Sequence, residues 1–112
     1  MTDSFVQAVV LYAALMGVDA PRVVDVEDLP GLRAAQVSFD GYGWLLERDK
    51  DGIAYRTQNK ELLALHELCH VRYHTAGHEK HFDCENHYWK QRMRLENQRR
   101  RLRKMRGPKE VR

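Results

Sequence analysis

The spacing of apolar positions divides the chain into a helical start, a middle of short alternating segments and a long helical second half. From Phe5 to Met16 apolar residues recur at helical spacing, with Asp3 or Ser4 placed at the start and Gly17 at the end, which predicts an amphipathic core helix. Arg22 to Val26 (Arg-Val-Val-Asp-Val) reads as a short strand, and Leu29-Pro30-Gly31 as a turn. Within Arg33 to Phe39, the run Gln36-Val37-Ser38-Phe39 alternates as a strand does, and Asp40-Gly41 turns the chain into Tyr42–Glu47. Asp49-Lys50-Asp51-Gly52 is a hairpin signal leading into a further strand at Ile53–Thr57. Thr57 or Asn59 then stands where it can cap a helix whose apolar stripe is Ala64, Leu65, Leu68 and Val71. That helix is expected to stop near Thr75-Ala76-Gly77. A second long helix follows from about Glu79 through Arg103, ended by Gly107-Pro108. In its first half Phe82, Tyr88 and Trp89 are placed to pack on the core; Asn97 to Lys104 is almost wholly polar. The expected fold class is α+β: an N-terminal helix, a small three- or four-stranded mainly antiparallel sheet, a histidine-bearing helix and a long basic C-terminal helix.

Size and charge refine this outline. A chain of 112 residues with 43% hydrophobic content supports one modest core, taken as residues 1–96, followed by a basic helical tail over 97–112. No run of 18 apolar residues occurs, so no membrane span is expected; the apolar N-terminal segment follows Asp3 rather than a basic region. The cytoplasm is the expected address, and Cys69 and Cys84 are expected to stay reduced there. Residues 1–87 carry 8 Lys/Arg against 14 Asp/Glu, whereas residues 88–112 carry 11 against 2. An acidic globule therefore ends in a basic tail, and residues 90–106 become a candidate nucleic-acid contact.

The chemistry is concentrated in His66-Glu67-Leu68-Cys69-His70. On an α-helix, positions i and i+4 lie about 40° and 6 Å apart on one face. Two imidazoles so placed can chelate one Zn²⁺, and Glu67 between them can take a proton from water activated at the metal. All six histidines (His66, His70, His74, His78, His81, His87) fall within one stretch of 22 residues. Cys69 sits on the flank of the helix and reads as a small hydrophobe. The bland alternative is a histidine-rich surface helix that binds metal only adventitiously.

A catalytic zinc site takes three protein ligands and leaves one position open. His74 continues the ladder but has drifted about 80° from His66 and about 12 Å along the axis, too far for one ion on a straight helix. A chain reversal at Gly77 would return His78 to the metal; a wider turn would bring His81, or Glu85 from the next helix, with Cys84 a remoter choice.

The segments Leu63 to His70 and Gly77-His78-Glu79-Lys80-His81-Phe82 resemble the SprT-like, WLM and YgjP-type group of small zincins. The resemblance covers roughly Ile53 to Trp89. It implies a zincin-like metallopeptidase domain, His78 as third ligand beside His66 and His70, Glu67 as catalytic base and a structural Phe82. It also implies a small sheet whose edge strand, near Ile53–Thr57, holds an extended peptide. The run His66-Glu67-Leu68-Cys69-His70-Val71-Arg72-Tyr73-His74 is similar as well to ImmA/IrrE-type peptidases, which would make Glu85 the third ligand. Tyr73, His74 and His81 are candidates for the second electrophile such hydrolysis needs. The leading expectation is a Zn²⁺ peptidase acting on protein or peptide, with no membrane partner; a non-catalytic zinc protein that binds nucleic acid through Arg92, Arg94, Arg99, Arg100, Arg101, Arg103 and Lys104 is the alternative.

Overall fold

The computed structural model describes residues 3–73 and 81–110. In chain order it contains α1 (Ser4–Met16), β1 (Arg22–Asp25), a single 3-10 turn (Pro30–Leu32), β2 (Ala35–Phe39), β3 (Trp44–Arg48), α2 (Ile53–Thr57), α3 (Lys60–Tyr73) and α4 (His81–Glu110). The α+β class holds. The caps of α1 are those expected: Asp3 accepts a 2.9 Å hydrogen bond from the Val6 N–H, and Gly17 adopts the left-handed φ of 70° that closes the helix. Between them α1 buries Phe5, Ala8, Val9, Tyr12, Ala13 and Met16, which form one stripe. It packs on α3, whose Ala64, Leu65, Leu68 and Val71 are also buried.

The sheet is mixed rather than mainly antiparallel. Its order is β1-β3-β2, with β1 parallel to β3 (Arg22 opposite Leu45, Asp25 opposite Arg48) and β2 antiparallel to β3 (Ala35 opposite Arg48, Phe39 opposite Trp44). Asp40 closes the β2–β3 hairpin by accepting from the Tyr42 and Gly43 N–H groups. The strand expected at Ile53–Thr57 is instead the short helix α2. The sheet accounts for one part of this: β1 and β2 flank β3 on both sides, so the segment that turns back from β3 cannot pair with it as a hairpin. The turn at Asp49 then leads into a helix, its carboxylate accepting from the Gly52 N–H at 3.1 Å.

Three side-chain systems tie the elements together. Arg48 is buried and bridges Asp25 at 2.6 Å, Asp3 at 2.7 Å and the Tyr55 hydroxyl at 3.1 Å, joining β3 to β1, to the cap of α1 and to α2. The Tyr12 hydroxyl donates to Glu61 at 2.9 Å, and Arg92 pairs with the same carboxylate at 3.2 Å, linking α1, α3 and α4. Cys69 and Cys84 are joined by a disulfide, with Cα atoms 6.0 Å apart, rather than remaining thiols. Helix packing decides this: α4 returns along α3 and sets the two buried sulfurs side by side.

Helix α4 differs from expectation at two further points. Phe82 is 75% exposed instead of packing on the core, while Tyr88 and Trp89 do pack there. The helix also continues through Gly107 and Pro108 to Glu110. A proline removes one hydrogen bond, and near a helix end the carbonyl left without a partner can turn to water, so the cost is local.

Candidate metal centre

The Asn59 side chain accepts a hydrogen bond from the Leu62 N–H at 3.1 Å, capping α3 at the expected place and thereby setting its rotation. With the apolar stripe turned inward, His66 and His70 fall on the other face, one turn apart. Their ring centroids are 5.0 Å apart with planes near perpendicular at 86°. Both line one cleft of about 600 Å³ together with Glu67. The opposite wall comes from the chain before β2 and from β2 itself, including Arg33, Ala35, Val37 and Phe39.

Glu67 is only 5% exposed, yet it belongs to the lining of this cleft. It has no hydrogen-bond partner among the described residues. Burial pushes its carboxyl up to about 7, since removing the charged form from water is unfavourable; the positive charge of Arg33 opposes this. A carboxyl so buried, with no partner among the described residues and at the lining of a cleft, leaves its oxygens to meet water or a ligand there.

The edge strand at this cleft is β2, which pairs with β3 on one side and has no strand beyond it among the described residues. This corrects the expectation that Ile53–Thr57 would supply that edge. The alternation of Gln36-Val37-Ser38-Phe39 was legible, but no pattern in the sequence says which strand is outermost. The last cross-strand pair of β2 and β3 is Phe39 and Trp44, ring centroids 5.2 Å apart, and both line the cleft. Arg33 was likewise not legible as a cleft residue, because only the path of the chain through Gly31 and Leu32 brings it there; both have left-handed φ, 69° and 55°.

The remaining ligand candidates are distributed unevenly. His74 and His78 lie outside the described residues, and so does the side chain of His81. Cys84 is engaged in the disulfide, which removes it as a thiolate donor. Glu85 is brought to the site, with its Oε1 3.0 Å from Nδ1 of His66. Tyr73 is 40% exposed at the end of α3. Among the described residues, no three His, Cys, Asp or Glu side chains are grouped closely enough to hold a metal ion. Two imidazoles on one cleft wall are nonetheless a donor pair suited to Zn²⁺, and they are the portion of such a set that α3 alone can supply. No helix among the described residues is long and apolar enough to cross a membrane.

No protein-family model matches this chain, nor does any curated protein or solved structure.

Proposed function

We propose that the protein is a zinc-dependent peptidase of zincin-like design, with His66, His70 and His78 as metal ligands and Glu67 as general base. The observation that carries this reading is the opening of His66, Glu67 and His70 onto a single cleft bordered by an edge strand. Zn²⁺ bound there would supply Lewis acidity, acidifying water and polarising the scissile carbonyl. The chain's own residues do the rest. A peptide in extended form would add to the open side of β2 by main-chain hydrogen bonds. Glu67, at the floor of the cleft, would take a proton from the attacking water and return it to the leaving amine. The burial that holds this carboxyl in place also limits competing water. With Glu85 as third ligand the site would instead be of the ImmA/IrrE type, and comparing zinc content in His78→Ala and Glu85→Ala proteins separates the two ligand sets.

The test uses protein prepared without a histidine tag. Wild-type protein should contain about one zinc per chain and cleave a peptide library; Glu67→Gln should keep the zinc and lose turnover. Turnover surviving in Glu67→Gln would refute the mechanism.

A second activity is supported by α4. Beyond Trp89 this helix presents Arg94, Arg99, Arg101 and Lys104 with no ion pair among the described residues. Arg92, by contrast, is held by Glu61 and Glu96, and Arg100 and Arg103 lie 3.9 and 3.7 Å from Glu96. The exposed cations suit phosphate contacts, and substrates associated with nucleic acid would be retained by them. We place the protein in the cytoplasm. In that reducing setting Cys69 and Cys84 would be held as thiols, whereas an oxidising compartment would preserve their bond; the mass of alkylated protein as isolated tells which applies.

A further inference from the structure

Glu85 stands on the second turn of α4, next to Cys84, whose side chain is buried against Cys69 on the motif turn of α3 and bonded to it in this structure. Its Oε1 lies 3.0 Å from Nδ1 of His66, and the two side chains are 36% and 33% exposed. The carboxylate does not border the cleft that holds Glu67 and His70. With His66, Gln58, Asn59, Leu62 and Leu63 it lines a separate hollow. His66 borders both surfaces, so it stands between Glu85 and the cleft. His66, His70 and Glu85 do not together form a group that could hold an ion.

The chemistry of imidazole gives this arrangement a consequence. A neutral ring that donates N–H from Nδ1 presents a lone pair at Nε2. A carboxylate held on Nδ1 therefore selects that tautomer, restrains rotation of the ring and makes Nε2 a better donor.

We infer that Glu85 is a positioning residue for the metal centre. It acts on His66 from outside the coordination shell, fixing Nδ1–H towards itself and Nε2 towards the cleft. The inference rests on the zinc reading of the cleft. It assigns Glu85 a role different from that of a ligand, and it gives α4 a function at the site in addition to packing.

The experiment compares wild-type, Glu85→Gln and Glu85→Ala proteins, with Zn²⁺ and Co²⁺ alone as probes. Affinity is measured by chelator competition, the ligand set by the Co²⁺ absorption spectrum and the His66 tautomer by ¹⁵N NMR. Thermal melts confirm that each variant is folded. Glu85→Ala should bind Zn²⁺ about 10- to 100-fold more weakly with an unchanged Co²⁺ spectrum, and its His66 should lose the single Nδ1–H tautomer. Glu85→Gln should recover part of the affinity, because its amide oxygen still accepts from Nδ1–H. Equal affinity in wild-type and Glu85→Ala proteins would overturn the inference alone. So would a changed Co²⁺ spectrum, which would make Glu85 a direct ligand. Failure of the wild-type protein to bind either ion would overturn the zinc reading, and this inference with it.

Discussion

Glu67 and Arg48 are the charged side chains buried among the described residues, each 5% exposed, and the protein treats them in opposite ways. Arg48 is surrounded by partners. Asp3 and Asp25 neutralise it and Tyr55 accepts a further bond, so its burial is compensated. Arg48→Ala should therefore lower stability by about 1–3 kcal/mol in urea titration, because it removes the charged hydrogen bonds to Asp3, Asp25 and Tyr55, while the half-exposed carboxylates left behind are solvated. Arg48→Lys should restore only part of this, since one ammonium cannot reproduce the planar fork. The same bridge gives a pH dependence. Its hydrogen bonds to Arg48 hold the Asp3 carboxyl at about 2, below the usual 3.8. A depressed carboxylate stabilises the fold in full above about pH 4 and progressively less as the pH falls towards 2. Asp3→Asn should flatten the stability profile across that window, as read by denaturation at successive pH values. Glu67 has no hydrogen-bond partner among the described residues, only the more distant charge of Arg33. Glu67→Gln removes a buried charge at constant shape, so metal-free protein at neutral pH should gain about 1–2 kcal/mol while turnover is lost. A loss of stability in that variant would show that the Glu67 carboxylate is held by partners after all.

At the scale of elements, the helices were more legible than the sheet. Asp3 and Gly17 mark the ends of α1, Asn59 marks the start of α3, and the apolar stripe of α3 places His66 and His70 on the opposite face. These are local effects, settled within a turn or two of chain. The segment Ile53-Ala54-Tyr55-Arg56-Thr57 shows the limit of local reasoning. Its β-branched and aromatic residues alternate as in a strand, yet it is helical, and β3, flanked on both sides, could not have taken it as a hairpin partner. Phe82 makes the complementary point: an aromatic residue near a helix start was expected inside, and the rotation of α4 leaves it in solvent. The bond between Cys69 and Cys84 fastens α3 to α4 across a separation of 15 residues. Closing a loop of that length is worth about 3 kcal/mol through the unfolded chain. Reduction, or a Cys69→Ser/Cys84→Ser pair, should lower stability by that order in denaturant titration. Metal affinity should fall with it if Glu85 depends on this bond for its place beside His66.

The whole molecule is elongated, 56 Å by 28 Å by 26 Å, because α4 runs past the body that the other elements form. Its outer half buries little, as Leu102 and Met105 remain 50% and 69% exposed. Removing residues 97–112 should therefore leave the melting temperature and peptide hydrolysis nearly unchanged. Retention on a DNA column should fall, and the salt dependence of that retention with it. Hydrolysis lost on truncation would mean that the tail contributes to the catalytic body rather than to a separate contact surface.

From the sequence alone come the helical spacing of His66, Glu67 and His70, the caps that orient their helix and the charge division between body and tail. All of these depend on neighbours within a few residues, where backbone geometry and side-chain chemistry act directly. Only the tertiary structure decides that β2 borders the cleft, that Arg33 reaches it, that Cys69 meets Cys84 and that Glu85 stands behind His66. Those relations join residues distant along the chain. They follow from which surfaces exclude water together, a property of the packed molecule and of no single segment.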